Sequence, residues 1–295
     1  TPSQREEFEK THECNFAIGV AGVGRFRVSC FYQRNQVGMV LRRIETKIPT
    51  VEELNLPPII KTLAMTKRGI IIFVGATGTG KSTSLAAMIG YRNQNSTGHI
   101  ITIEDPVEYE LPGVNQSQIK PAIGLTFATA LRSFVRQDPD VIMVGEIRDT
   151  ETAHVAVHAA LTGHLVLTTL HTETAAAAVP RLLDLGVEGY LLRSVLRGVI
   201  AQRLVRQLCE RCKTARPLAA ADFTEDPRLA ALGFKAEEII QEPCGCERCG
   251  GTGYRGRLGV FELLELSNEL RELIGERTDG LKIDTMAIRA GMTTM

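Results

Sequence analysis

Residues 70–83 read Ile-Ile-Ile-Phe-Val-Gly-Ala-Thr-Gly-Thr-Gly-Lys-Ser-Thr. The apolar run Ile70–Val74 predicts a buried strand, and the stretch Leu85–Ile89 predicts a helix that follows it. The segment Gly75–Ser82 between them has the Gly-x4-Gly-Lys-Ser spacing of a phosphate-binding loop. Such a loop points backbone N–H groups at phosphates, and the helix adds the positive end of its dipole. A plain Gly/Thr turn is the alternative, but every fixed position of the motif matches, so the sequence predicts a nucleoside triphosphate site.

Individual side chains of this loop have distinct expected roles. Lys81 is expected to reach the β- and γ-phosphates, and Ser82 is expected to ligate a magnesium ion. The glycines allow the tight turns that bring backbone N–H groups close to the phosphates. The residues predicted to contact the nucleotide are Gly75, Ala76, Thr77, Gly78, Thr79, Gly80, Lys81, Ser82 and Thr83.

The composition limits the class of protein. Hydrophobic residues make up 44% of the 295 residues and charged residues 23%, which is typical of globular proteins. The formal net charge is zero, so there is no overall attraction to nucleic acid or anionic lipid, and no nucleic-acid partner is expected. We find no apolar run of transmembrane length and no signal peptide. The sequence therefore predicts a cytoplasmic chain whose membrane association requires a protein partner.

Two carboxylates follow the next apolar run. The stretch His99–Ile103 predicts a strand, and Glu104 and Asp105 come at its end. Carboxylates at the carboxyl end of a strand beside a phosphate-binding loop lie where magnesium or the attacking water is bound. A loop N-cap is the alternative reading, because Asp-Pro is common in turns. The position of these carboxylates at a strand end favours a role in the nucleotide site over an N-cap.

A third carboxylate follows another apolar run, Val141–Val144. Glu146 stands just past the end of this predicted strand, where it is a candidate to orient or deprotonate the hydrolytic water. Gly145 occupies the position at which P-loop ATPases usually carry an aspartate. We therefore expect Glu104 or Asp105 to take over the magnesium role of that aspartate.

Histidines and arginines add candidates. His164 and His171 bracket the predicted strand between them, and a histidine at a strand end is suited to sensing the γ-phosphate through a hydrogen bond. Arg25 and Arg27 lie in the predicted strands of the first 48 residues, with Arg42 or Arg43 as a less certain partner. Such arginines are either solubilising or reach a neighbouring subunit's nucleotide as charge-stabilising groups.

The cysteines indicate a metal site. Cys209-x2-Cys212 and Cys246-x2-Cys249 form two paired knuckles, the arrangement of a four-thiolate zinc site. Disulfides are the alternative, which a reducing cytosol disfavours. Cys244 is a spare thiol and a less favoured substitute ligand. Because all four ligands come from the protein, the predicted zinc ion is structural and not catalytic.

Strands that alternate with helices predict an α/β fold with a parallel sheet and crossover helices. Strands with a Gln33–Gln36 turn are predicted in the N-terminal part, which shows no obvious first element. Thr50 and Glu53 predict the capping box of a short helix. Residues Ala175–Arg206 are predicted as alanine- and leucine-rich helix with breaks at Gly186 and Gly198. A strand is predicted after Gly253, and two short helices are predicted near the C-terminus. The predicted domains are 1–55, 56–206, 207–265 and 266–295.

Together these motifs resemble those of the secretion-type ATPases, the hexameric motors of type IV pili and type II secretion. The matching segments are Gly75–Ser82, Ile103–Glu108, Gly145–Asp149, Thr162–His171, Ala201–Arg206 and the two Cys-x2-Cys pairs. They extend over nearly the whole chain and are much more specific than a phosphate-binding loop alone.

The resemblance implies a RecA-like α/β P-loop NTPase core, preceded by part of a small α/β lobe and carrying a zinc-binding subdomain. It implies that Glu146 is the catalytic glutamate and that Arg25 and Arg27 complete a nucleotide site in trans. Glu104 falls in the acidic box of the family, and the two bracketing histidines fall in its histidine box. ATP, Mg2+ and Zn2+ are the implied ligands. The implied assembly is a homohexamer at a bacterial inner membrane, where it acts on a platform protein.

The resemblance divides along the chain. Residues 22–109 look most like a pilus retraction ATPase, and residues 110–290 look most like a type II secretion or pilus-extension ATPase. The zinc subdomain is similar to that of the assembly enzymes, so assembly is the predicted role and retraction the alternative. Two other classes stay open: a P-loop nucleic-acid translocase, and a module that binds nucleotide without hydrolysing it.

Overall fold

The structure is a computed structural model that describes residues 1–44, 47–275 and 278–295, without the side chains of Ser3 and Arg25. The strands are β1 (Glu13–Val20), β2 (Gly24–Gln33), β3 (Gln36–Ile44), β4 (Gly69–Val74), β5 (Ile100–Glu104), β6 (Asn115–Gln118), β7 (Val141–Val144), β8 (Leu165–Leu170), β9 (Leu196–Leu208), β10 (Thr214–Pro217), β11 (Ile239–Glu242) and β12 (Tyr254–Glu265). The α-helices are α1 (Pro2–Thr11), α2 (Ile59–Ala64), α3 (Lys81–Asn95), α4 (Phe127–Phe134), α5 (Thr150–Leu161), α6 (Ala178–Asp184), α7 (Gly189–Val195), α8 (Ala220–Glu225), α9 (Arg228–Ala231), α10 (Asn268–Leu273) and α11 (Gly280–Arg289).

A seven-stranded sheet lies at the centre of the described residues, in the order β12-β9-β4-β8-β7-β5-β6. β4 pairs in parallel with β8 and β9, and β7 pairs in parallel with β5 and β8. β6 pairs in parallel with β5. The helices α3, α4 and α5 connect consecutive strands of this sheet. The predicted α/β class with a central parallel sheet is confirmed.

The strand before the phosphate-binding loop, β4, is buried along its whole length. Ile70, Ile72 and Val74 belong to one apolar cluster, whereas Ile71 and Phe73 belong to another. Successive side chains of a strand point to opposite faces of the sheet, so these two clusters cover its two faces. A continuous apolar run is the sequence pattern that such a doubly covered strand requires.

A separate three-stranded antiparallel sheet, in the order β1-β2-β3, forms the N-terminal part. The turn between β2 and β3 contains Arg34 and Asn35, both with positive φ, and confirms the predicted Gln33–Gln36 turn. Helix α1 precedes the sheet and was not predicted. Its sequence has no apolar stripe, and its exposed face carries the i,i+4 ion pairs Arg5–Glu9 and Glu6–Lys10.

The predicted break at Gly186 lies between two helices, but the helix predicted over the last part of Ala175–Arg206 is wrong. The structure has the short helices α6 and α7, and then strand β9 begins at Leu196. β9 pairs with β4 as far as Ala201, so burial at the centre of the sheet overrides the helical pattern. The β-branched Val199 and Ile200 favour this outcome. No helix in the described residues is long and apolar enough to cross a lipid bilayer.

The predicted capping box forms without its helix. Thr50 N donates to Glu53 Oε2 at 3.0 Å, and Glu53 N donates to Thr50 Oγ1 at 3.1 Å. The following residues form turns, and α2 begins only at Ile59. Pro57 disfavours the helical conformation in the residue before it, so the chain cannot continue from the box into a helix.

The described residues form two compact units. The first contains Thr1–Gln202 and Phe261–Met295, and the second contains Arg203–Val260. The second unit includes the antiparallel pair β10 and β11 and all five cysteines beyond residue 200. The predicted strand after Gly253 and the two C-terminal helices are confirmed as β12, α10 and α11.

We expect Ile72→Ala to lower the free energy of unfolding by about 2–5 kcal/mol, because truncating a fully buried side chain leaves a cavity. Ile123→Ala is the matched control, since Ile123 is 70% exposed, and it should change stability by less than about 0.5 kcal/mol. Urea unfolding followed by circular dichroism measures both. Equal effects would contradict the assignment of β4 to the core.

Candidate active site

The ends of four parallel strands meet at one edge of the central sheet. The register aligns Val74 at the end of β4 with Leu170 at the end of β8, and Ile103 in β5 with Val144 in β7. The phosphate-binding loop follows β4, Glu104 is the last residue of β5, Glu146 lies two residues past β7, and His171 follows β8. Because parallel strands end on the same side, the structure brings these four predicted parts of the site together.

The glycines of the phosphate-binding loop have backbone angles that residues with a side chain rarely adopt. Gly75, Gly78 and Gly80 have φ values of 140°, 83° and 90°. A Cβ atom on Gly75 would lie 2.6 Å from the carbonyl oxygen of Gln202 in β9, which is too close for any side chain. Gly80 is the N-cap of α3, so the N–H groups at the start of the helix lie at the loop. The loop therefore fits the anion-binding role that its sequence predicts.

Lys81 is bonded to the loop itself. Its side chain is buried, and Nζ donates to the carbonyl oxygens of Gly75 at 2.7 Å and Ala76 at 2.9 Å. Burial lowers the pKa of Lys81, and the nearby charge of Glu146 partly opposes this shift. The hydroxyl-bearing Ser82 is exposed at the start of α3. A phosphate group bound by this loop would replace the two carbonyl oxygens as the partner of Nζ.

Glu146 is held by two cationic or potentially cationic side chains. Arg148 Nε donates to Glu146 Oε2, and His171 Nε2 lies 3.3 Å from the same oxygen. The Glu146 side chain is 12% exposed, whereas the Arg148 side chain is 67% exposed. Both contacts use Oε2, so this carboxylate is fixed by one oxygen in a partly accessible position.

Glu104 lies among neutral hydrogen-bond donors. Thr102 Oγ1 donates to Glu104 Oε1 at 2.6 Å, and Gln116 Nε2 donates to the same oxygen at 3.0 Å. Burial raises the pKa of Glu104, and these two hydrogen bonds oppose the rise because they stabilise the charged form. The next residue, Asp105, is exposed and joins Pro106 through a cis peptide bond.

Gly145, which precedes Glu146, packs closely against the end of β5. A Cβ atom at this position would lie 3.3 Å from the carbonyl oxygen of Ile103 and 3.4 Å from Cα of Glu104. Gly145 N donates to the same Ile103 oxygen at 2.8 Å, and Thr169 Oγ1 donates to Gly145 O at 2.8 Å. A side chain here would therefore require the end of β5 to give way by a few tenths of an ångström.

His164 is not brought to this edge. It precedes β8, and its carbonyl oxygen accepts from Gly69 N at the start of β4, which is the opposite edge of the sheet. Its Nδ1 lies 2.8 Å from the carbonyl oxygen of Ala159 at the end of α5. This corrects the expectation that both histidines adjoin the nucleotide, because a buried strand separates them.

The N-terminal arginines lie on the small antiparallel sheet. Arg27 in β2 is exposed and lies opposite Arg42 in β3, which is also exposed, as is Arg43. The side chain of Arg25 lies outside the described part of the chain. In the described residues, none of Arg27, Arg42 and Arg43 bonds to the phosphate-binding loop. Their contribution to a neighbouring subunit stays a prediction.

The second unit brings the two cysteine pairs together. The sulfur atoms lie 3.9 Å apart for Cys209 and Cys246, and 3.8 Å apart for Cys212 and Cys249. All four lie within 4.8 Å of one another. A zinc ion with four bonds of about 2.3 Å in a tetrahedron has sulfur atoms about 3.8 Å apart, so the cluster fits this ion. Cys244 is exposed and is not part of this group.

Sequence reasoning missed three contacts of this edge. Arg148 was not singled out, although it is two residues from Glu146 and a cation near a strand-end carboxylate is a usable signal. Gln116 in β6 contacts Glu104 only because β5 and β6 pair, and no local pattern indicates that pairing. Tyr109 OH lies 3.1 Å from Thr83 Oγ1, a contact that depends on the path of the intervening loop.

A family model described as "Type II/IV secretion system protein" matches residues 17–295. The chain is 57% identical over 215 residues to "Type IV pilus ATPase PilU" of Pseudomonas aeruginosa, covering 68% of this chain and 55% of that protein. It is 46% identical over 269 residues to "Type IV pilus assembly ATPase PilB" of Thermus thermophilus, covering 87% of this chain and 29% of that protein. It is 48% identical over 229 residues to "Type II secretion system protein E" of Aeromonas hydrophila, covering 77% of this chain and 44% of that protein.

Among solved structures, the chain is similar to "Crystal Structure of the Pilus Retraction Motor PilT and Bound ADP", with a TM-score of 0.74 and 34% identity. That match covers 100% of this chain and 79% of the solved one. A second similar structure is the Legionella pneumophila ATPase DotB, with a TM-score of 0.66, 26% identity and coverage of 98% of this chain and 72% of that one. The chain thus spans about half or less of the three curated relatives and most of the solved structures.

We expect Gly75→Ala to destabilise the protein by at least about 2 kcal/mol, because it combines an unfavourable φ with a clash against Gln202 O. Gly78→Ala is the matched control, since its φ is also positive but no atom lies within 4 Å of the added Cβ. The control should cost only about 1 kcal/mol. Chemical unfolding of both variants measures the difference, and equal costs would contradict the close approach of β9 to the loop.

Proposed function

The chain belongs to the type II/IV secretion system protein family, and we propose that it is a magnesium-dependent ATPase. We propose further that it acts as a homohexameric motor that powers type II secretion or type IV pilus assembly. The observation that carries the proposal is the meeting of Lys81, Glu104 and Glu146 at the carboxyl edge of the sheet. Its relatives named ATPases support ATP as the substrate.

The residues of this edge have separate roles in the proposed hydrolysis. Lys81 leaves the carbonyl oxygens of Gly75 and Ala76 and neutralises the γ-phosphate. Glu146 orients the attacking water and accepts its proton, while the contacts of Arg148 and His171 fix the carboxylate. Ser82 would hold a magnesium ion, with Glu104 or Asp105 bonding to its waters. When bound, the ion would neutralise charge that develops on the phosphates.

The remaining charge would come from another subunit. Arg25 and Arg27, with Arg42 or Arg43, are proposed to stabilise the transition state of a neighbouring subunit's site. The exposure of Arg27, Arg42 and Arg43 in one chain supports this role, because a group that acts in trans must be free to reach outward. A ring of six subunits provides such a neighbour at every site. Size-exclusion mass with and without nucleotide measures the assembly.

Assembly is the direction of work that we favour, with retraction as the second candidate. The four-cysteine cluster supports assembly, because the resemblance associates it with assembly ATPases. The similarity to PilU and to the retraction motor PilT supports the second candidate. In either case, the proposed partner is a platform protein of a bacterial inner membrane, which the chain reaches from the cytoplasm without entering the bilayer.

Neither a nucleic-acid translocase nor a non-hydrolysing module is favoured. The zero net charge argues against a translocase. The presence of Lys81, Glu104 and Glu146 together at one edge of the sheet argues against a module that cannot hydrolyse nucleotide. DNA-stimulated hydrolysis would support the translocase. Nucleotide binding without turnover would support the module.

We expect Glu146→Gln to lower ATP turnover by about 100-fold or more while leaving ATP binding intact, because it removes the group that accepts the proton. Glu188→Gln is the matched control, since Glu188 is an exposed carboxylate at the start of α7. Turnover is measured by phosphate release, and binding by calorimetry. Binding without turnover in the parent would overturn the ATPase proposal, and unchanged turnover in the Glu146 variant would overturn the role of that residue.

We propose that the four cysteines of the second unit bind a structural zinc ion. We expect one zinc ion per chain by metal analysis, and its loss in Cys246→Ser, because a closed site needs all four ligands. Cys244→Ser should retain the metal. Removing the zinc should increase amide hydrogen exchange within Arg203–Val260 and leave β4 protected. A zinc-free parent with the same exchange pattern would contradict the site.

A further inference from the structure

The side-chain amide of Gln116 bonds in three directions at the edge of the central sheet. Its Nε2 donates to Glu104 Oε1 at 3.0 Å and to the carbonyl oxygen of Tyr109 at 2.8 Å. Its Oε1 accepts from Leu111 N at 2.6 Å. Both hydrogens of the amide and its oxygen are therefore used. Gln116 thus links Glu104 to the loop that runs from β5 to β6.

The strand pairing explains how Gln116 reaches Glu104. In the parallel register of β5 and β6, Gln116 is the partner of Thr102. Glu104 lies two residues after Thr102, and the side chains at these two positions share one face of the strand. Thr102 and Gln116 then donate to the same oxygen, Oε1, from two directions. Two directed hydrogen bonds on one oxygen restrict the rotation of this carboxylate.

The same amide links this carboxylate to the helix of the phosphate-binding loop. Tyr109, whose carbonyl oxygen accepts from Gln116, places its hydroxyl 3.1 Å from Thr83 Oγ1. Thr83 directly follows Ser82, the proposed magnesium ligand. A substitution at Gln116 would therefore affect the proposed magnesium site by two routes. One runs through Glu104, and the other runs through the loop that contacts α3.

We propose that Gln116 is a positioning residue that fixes the carboxylate of Glu104 for its role toward magnesium, an inference that rests on the proposed function. Only an amide side chain of this length donates to a carboxylate and a carbonyl while it accepts from an N–H group. Glutamate would keep the acceptor and lose both donors, and leucine would lose all three bonds. Groups that orient the ligands of a metal typically change metal affinity or activity by about 10–100-fold when they are removed.

The test compares Gln116→Glu and Gln116→Leu with Gln118→Leu. Gln118 is the matched control because it lies in the same strand, two residues on, and among residues 1–44, 47–275 and 278–295 its side chain accepts a single hydrogen bond, from Val107 N at 3.3 Å. The readout is the magnesium concentration that half-saturates binding of the non-hydrolysable analogue AMPPNP, measured by calorimetry. We expect both Gln116 variants to need about tenfold more magnesium and the Gln118 variant to stay within about twofold of the parent.

Exchanging the two side chains tests whether Gln116 positions the carboxylate of Glu104 or only stabilises the fold. The double substitution Glu104→Gln with Gln116→Glu swaps the carboxylate and the amide, so one hydrogen bond between the two positions can form again. We expect this swap to recover thermal stability relative to Gln116→Glu, and to leave the magnesium requirement as high as in Glu104→Gln alone. Recovery of the magnesium requirement by the swap would overturn the inference, because the bond and not the carboxylate would then matter.

Turnover measured beside binding distinguishes the possible failures. If Glu104→Gln leaves the magnesium requirement unchanged, the proposed role of Glu104 fails, and with it the inference. If Glu104→Gln raises the requirement while both Gln116 variants match the parent, the inference on Gln116 is overturned and the proposed function stands. In the supporting outcome, kcat of Gln116→Leu falls about tenfold at low magnesium and returns toward the parent value at saturating magnesium.

Discussion

Parallel pairing is the constraint on which the arrangement of this protein depends. β4, β5, β7 and β8 run in the same direction and pair in register, so their carboxyl ends share one edge of the sheet. Lys81, Glu104 and Glu146 come from separate parts of the chain, and each simply follows the strand that delivers it. The apolar clusters on the two faces of the sheet supply the stability that holds these charged groups close together.

Three charged groups at this edge, Lys81, Glu104 and Glu146, already have partners within the protein. Lys81 bonds to two loop carbonyls, Glu146 to Arg148 and His171, and Glu104 to Thr102 and Gln116. A ligand that binds here would replace some of these internal partners. It would not bind to charged groups that lack a partner. Such an exchange has a small free-energy cost. The donors and acceptors that are released can bond to the ligand or to water, so they are not left buried without a hydrogen bond.

The sequence predicted the parts of the site that depend on short segments. The phosphate-binding loop, the strands before Glu104 and Glu146, and the cysteine pairs are each defined within about a dozen residues. The sequence did not predict contacts that depend on which strands are neighbours in the sheet. Gln116 reaches Glu104 because β6 pairs with β5. His164 lies away from the site because it precedes β8, whereas His171 follows that strand. The helix predicted over the residues of β9 follows the helical propensity of alanine and leucine, which the pairing of β9 with β4 and β12 overrides.

Gly145 lets the end of β7 pack backbone against backbone on the end of β5. An added Cβ atom would lie 3.3 Å from Ile103 O and 3.4 Å from Glu104 Cα, so a side chain there requires these neighbours to give way by a few tenths of an ångström. A substitution at Gly145 would therefore act on Glu104 through the main chain, without any contact between the two side chains.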